Sequence, residues 1–217
     1  MNTISAERVA YRGPNTLTLG AHRIGYEVRS YFRSPDTVFF TFLFPIMMLA
    51  IFTAAFSSAG NIGAAPDGTG GITVGAYYLP GMIAAGMLLS GVQNLAVDIA
   101  GEKSDGTLKR LGGTPLSPIS YFVGKIGQVF VTGVLQTAAL LAVAVFAFGI
   151  TLPSEPSAWA TFAWVFVLGL VASALLGIAL SAVPRSGKSA TAVVIPILLV
   201  LQFISGVYLQ FSGLPSW

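Results

Sequence analysis

The sequence predicts an all-α protein, a polytopic bundle of membrane-crossing helices, and three observations carry that prediction. Of 217 residues, 54% are hydrophobic and only 9% are charged, against about 25% charged in a soluble domain, so the chain lacks the polar surface to face water on all sides. The apolar residues gather into five runs, each at least as long as the roughly 20 helical residues that cross a hydrocarbon core. The runs are too long and too evenly apolar to be the alternating strands of a barrel, and helices are the other way to pair every backbone group inside lipid.

Taken in order, residues 1–36 form a mostly polar N-terminal segment whose second half is amphipathic at helical period. Leu17, Ala21, Ile24, Val28, Tyr31 and Phe32 share one arc, and His22, Arg23, Arg29 and Arg33 the opposite one. Such a helix is expected to lie in the membrane interface with its basic face towards headgroups. The first long apolar run begins only near Thr37, so a cleaved signal peptide is not expected and the first span stays as an anchor. Five spans are predicted at residues 37–56, 75–97, 119–150, 158–183 and 190–211, which makes 37–217 the membrane domain. Pro45, Pro80 and Pro196 fall inside spans, where they remove backbone hydrogen bonds. Ser173, Gly177 and Ser181 recur at every fourth position and predict a close helix contact along one face of the fourth span.

Orientation follows from the basic residues. Arg8, Arg12, Arg23, Arg29 and Arg33 precede the first span, Lys103, Lys109 and Arg110 follow the second, and Arg185 and Lys188 follow the fourth. Lys125, near the start of the third span, is expected to snorkel to the same side. All eleven basic residues then lie on one face, and the opposite segments offer only Asp67 and Glu155. The positive-inside rule accordingly places the N-terminus in the cytoplasm.

Several chemistries are excluded. There is no cysteine and one histidine, His22, with no ligand partners at metal spacing, so no metal site is expected. The basic residues do not form a patch interleaved with aromatics, which argues against nucleic acid. The predicted spans carry the amides Gln93, Asn94, Gln128, Gln136 and Gln202 but no mid-membrane carboxylate, histidine or nucleophilic pair, so neither proton coupling nor catalysis is expected there. The stretch 182–189, Ala-Val-Pro-Arg-Ser-Gly-Lys-Ser, fits a relaxed phosphate-binding loop. A working loop of that kind lies between a strand and a helix; between two membrane runs it reads as a basic hairpin.

The segment 98–118 holds the most specific signal. Its middle predicts a short helix with Leu108 and Leu111 on one side and Lys109 and Arg110 exposed, ended by Gly112-Gly113. Ser117-Pro118 predicts the cap and first turn of the third span. Glu102-Lys103, Gly106-Thr107-Leu108, Arg110-Leu111 and Thr114-Pro115-Leu116-Ser117 together resemble the characteristic loop of the permease subunits of ABC type-2 exporters. The likeness extends to the N-terminal helix, the span spacing and the Phe203-Ile204-Ser205-Gly206-Val207-Tyr208 stretch. One departure is Ser104, next to Asp105, where the family usually carries Glu two residues before the glycine.

That resemblance implies a transmembrane subunit of an ATP-driven exporter, set in the cytoplasmic membrane of a bacterium and paired with a second permease copy, identical or related. A separate cytoplasmic ATPase would dock on Glu102, Lys103, Gly106, Thr107, Leu108, Arg110, Leu111, Thr114 and Pro115. ATP and magnesium would belong to that partner, and this chain would hold no cofactor. The family has six spans, so a sixth is expected after Trp217. The largely uncharged spans suit a hydrophobic or amphipathic cargo such as a drug or lipid. A membrane assembly protein that docks a partner without transport, and a carrier not driven by ATP, are the alternative readings.

Overall fold

The computed structural model describes residues 16–56, 60–63, 70–114, 116–205 and 207, with the side chain of Leu17 left aside. Among them the regular structure is helical, apart from one antiparallel bridge between Ile62 and Ile72. The elements are α1 (Thr16–Phe32), α2 (Pro35–Ala55), α3 (Val74–Leu88), a π-helical segment (Leu89–Asn94), α4 (Leu95–Ser104), α5 (Thr107–Gly112), α6 (Pro118–Phe146), α7 (Pro156–Leu180) and α8 (Gly187–Ile204). Among the described residues five stretches are long and apolar enough to cross a membrane. These are α2, the continuous run Val74–Ser104, α6, α7 and α8.

Where the helix ends differ from the predicted spans, local chemistry explains it. The second stretch continues to Ser104, past residue 97, because Asp98, Glu102 and Lys103 end the hydropathy without ending the helix. It stops where Gly106 takes a left-handed φ of +81°, which a residue with a Cβ adopts at a cost. The third stretch ends at Phe146 and not at residue 150. Gly149 turns left-handed at φ +62°, and the N–H groups of Gly149 and Ile150 return to the carbonyls of Val145 and Ala144, closing the helix as a glycine C-cap does. At the starts of α2, α6 and α7 a proline occupies the first turn, where its missing N–H has no intrahelical partner to lose. Pro45, Pro80 and Pro196 lie inside α2, α3 and α8, and each helix runs through its proline.

The run Val74–Ser104 and α6 bury 56% and 39% of their apolar stretch, against 17–28% for α2, α7 and α8, so those two form the centre and the others surround it. Small residues permit the closest approaches. The predicted Ser173/Gly177 stripe of α7 meets the π-helical segment: a Cβ on Gly177 would overlap the Gly91 carbonyl, and one on Gly91 would overlap the Ser173 hydroxyl. α1 lies along α6 in the same manner, with Gly20 against Val123, Gly124 against Arg23 and Gly127 against Ile24. At the end of the bundle remote from α5, Phe52 stacks on Tyr78 at 4.6 Å, and Ile150 and Thr53 close over Gly75.

Candidate functional site

The segment singled out by sequence is a turn and a short helix on a charged mount. Glu102 and Lys103 occupy the last turn of α4, Glu102 facing inwards and Lys103 exposed. The Asp105 carboxylate accepts the Thr107 N–H at 2.8 Å. The Thr107 hydroxyl and backbone beside it hold the Asp105 carboxyl below the usual range, because hydrogen bonds to the charged form favour that form. Gly106 supplies the left-handed turn into α5, where Leu108 and Leu111 are half-buried and Lys109 and Arg110 exposed. Arg110 donates to the Thr107 hydroxyl at 3.1 Å, and Thr114 donates to the Leu111 carbonyl at 2.7 Å, closing the helix end. Pro115 lies outside the described residues. Ser117 caps α6 by accepting the Ser120 N–H at 3.1 Å.

Beneath this segment sits Lys125, and here the sequence expectation is corrected. Its side chain does not snorkel; it is fully buried. The ammonium lies 2.8 Å from Glu27 of α1, 2.5 Å from Asp98 and 2.9 Å from Glu102 of α4. Three carboxylates supplied by the packed helices replace the water that snorkelling would reach. The Tyr121 hydroxyl donates to Glu102 at 2.5 Å, and Arg23 pairs with Glu27 at 2.6 Å, one turn away on α1. The carboxylate oxygens lie within 4.8 Å of one another, close enough to share a metal ion; the Lys125 ammonium takes that place.

α1 is also drawn in differently from its predicted two-faced pattern. Arg23 turns towards α6 and is largely buried, Ala21 and Phe32 are exposed, and Glu27, absent from either predicted arc, is buried. Glu27 carried a usable signal. Gly20, Glu27 and Tyr31 fall near one stripe of α1, and Gly124-Lys125-Ile126-Gly127 offers α6 two glycines flanking a lysine, a pattern that admits a close helix with its own countercharge.

Ser104, the departure from the family pattern, donates to the Gly101 carbonyl at 2.9 Å and accepts the Gly187 N–H at 3.2 Å, tying the end of α4 to the start of α8. The two helix ends approach closely, since a Cβ on Gly187 would lie 2.9 Å from the Gly101 Cα. The stretch 182–189 connects α7 to α8, with no strand. Ser186 and Ser189 cap the α8 N-terminus reciprocally, so the N–H groups of Ser186 and Ser189, like that of Gly187, are already engaged.

Four of the five interior amides converge. Gln93, Asn94, Gln128 and Gln202 line a cavity of about 610 Å³ between α2, the π-helical segment, α6 and α8. Asn94 donates to the Thr41 hydroxyl at 2.8 Å. Gln136 lies apart, packed against Gly86, and Ser90 and Thr132 share a buried hydrogen bond of 2.8 Å.

The model of one protein family, described as ABC-2 family transporter protein, matches residues 70–217, a stretch that includes the whole α3-to-α8 bundle. No curated protein and no solved structure gives a significant match to the chain. With five candidate membrane helices and a family match over more than half its length, the chain belongs to the ABC-2 transporter family and is a multi-pass membrane permease component.

Proposed function

We propose that this permease is the transmembrane subunit of an ATP-driven exporter, and that a separate ATPase docks on α5 and the residues around it, from Glu102 to Thr114 and on to Pro115 and Ser117. In this reading the N-terminus and α5 face the cytoplasm of a bacterium, α1 lies in the inner interface, and a second permease copy completes the transport pathway. ATP and magnesium stay on the partner. The cargo is hydrophobic or amphipathic.

The observation that carries the reading is the mount of α5. Its exposed Lys109 and Arg110 sit one tight turn beyond α4, and α4 is bound to α1 and α6 through Lys125 and to α8 through Ser104. A push on α5 therefore reaches four helices and the π-helical segment beside the cavity. Transmission needs such rigid elements with few soft joints.

The test is co-purification with the ATPase. Gly106→Pro, which cannot adopt a positive φ, and the double reversal of Lys109 and Arg110 to Glu are each expected to lower ATPase recovery about tenfold, as loss of roughly 1.4 kcal/mol would. The permease itself should be recovered in normal amount. Undiminished association together with undiminished transport-coupled ATPase activity would overturn the docking assignment.

A further inference from the structure

The cavity of about 610 Å³ has a definite chemical gradient. Its mouth, at the α5 end, carries Asp36 at the start of α2 and Asp98 on α4; its inner end carries Phe44, Leu89 and Leu198, with the Gln202 amide one turn beyond Leu198. It extends about 12 Å along α2, from Asp36 to Phe44, and about 16 Å along α8, from Thr191 to Gln202, at 1.5 Å per helical residue. The volume is that of a site for one drug-sized molecule.

Its electrostatics select a sign. Among the described residues no Lys, Arg or His lines it, whereas Glu27, Asp36 and Asp98 do. Lys125 and Arg23 neutralise part of this charge, two cations against the three carboxylates of Glu27, Asp98 and Glu102, and Asp36 adds a separate carboxylate at the mouth. Asp36 makes no ion pair among the described residues, and the Asp98 side chain is half-exposed. The polar step in the middle can accept as well as donate and so admits a polar ligand group. The Tyr31 hydroxyl is buried on the cavity wall beside Thr41 and Asn94 and forms no hydrogen bond of good geometry. Asn94 gives one of its two side-chain N–H groups to Thr41, so its amide still offers a carbonyl acceptor and a second donor. Phe40 and Phe44 add ring faces one turn apart, suited to a cation.

We propose that this cavity binds an amphipathic organic cation, with its charge at the Asp36–Asp98 mouth and its apolar body against Phe44, Leu89 and Leu198. This names the cargo class for the exporter reading above and rests on it for the direction of movement, though not for binding.

Tetraphenylphosphonium and tetraphenylborate, nearly equal in size and opposite in charge, provide the probes. Binding is measured by equilibrium dialysis on the full chain in nanodiscs of zwitterionic lipid, corrected with empty nanodiscs. The cation is expected to saturate one site per chain, and the anion to show no saturable binding. Asp36→Asn, at an exposed helix start, should leave the melting temperature in place and weaken the cation about threefold to fivefold, the range of one exposed ion pair. Phe44→Ala should weaken it about tenfold, through lost ring and apolar contact.

Equal binding of both probes, or cation binding that neither substitution changes, would overturn the proposal. So would an absence of saturable cation binding to a chain that melts normally. The outcomes separate the two readings: loss of ATPase docking in the α5 variants is read without either probe, and intact docking beside absent cation binding would remove only the cargo assignment.

Discussion

Where α1, α4 and α6 meet, Lys125, three carboxylates and Tyr121 close the seam; where α7 crosses the π-helical segment, Gly91, Gly177 and Ser173 close it with no charge at all. The difference follows from position. Lys125 is two turns into α6, near enough to the helix start for carboxylates on α1 and α4 to gather around it. The α7 contact lies deeper, where an ionised group is costly, and close backbone packing takes over. A charged seam fails when one partner is removed, because the others are left buried and unpaired. A glycine seam fails when anything is added.

The largest effect should come from Lys125→Ala, which leaves Glu27 and Glu102 without their buried cation and is expected to cost about 3–5 kcal/mol. It would be seen as a lower melting temperature in detergent. Changing Glu27 and Glu102 to Gln and Asp98 to Asn in the same chain should recover much of that loss; no recovery would mean that the lysine stem, and not its charge, supports the seam.

Next is Gly177→Val, whose Cβ would run into the Gly91 carbonyl, backbone that no rotamer change moves aside. The expected cost is about 1–3 kcal/mol in the same melting experiment, and a wild-type melting temperature would show that α7 and the π-helical segment are free to separate.

The smallest effect is expected of Tyr121→Phe, which removes one hydrogen bond to Glu102 while Lys125 keeps its own at 2.9 Å. A loss near 1 kcal/mol is expected. A loss as large as that of Lys125→Ala would make the tyrosine, and not the lysine, the centre of the seam.

Much of the α7 seam was legible in the sequence, because Ser173, Gly177 and Ser181 repeat at helical spacing and small residues have one evident use in a membrane helix. The α5 helix, its glycine end and the Ser117-Pro118 start of α6 were also legible, since caps and turns are local. The charged seam was not. Lys125 close to a helix end reads as a snorkelling side chain until Glu27, 98 residues away in the chain, is known to lie beside it. The cavity was missed for the same reason: Gln93, Asn94, Gln128 and Gln202 look like scattered amides, and only the packing of α2, α6 and α8 around the π-helical segment turns them to one space.

The sequence by itself determined the helical class, the number of long apolar stretches and the short helix after α4, because hydropathy, helix caps and glycine turns act within a few residues. Tertiary structure decided how far α4 runs, where α1 lies against α6, and what partners Lys125 takes. Those outcomes depend on charges and glycine surfaces from distant parts of the chain meeting where little water competes, and no local pattern specifies such a meeting.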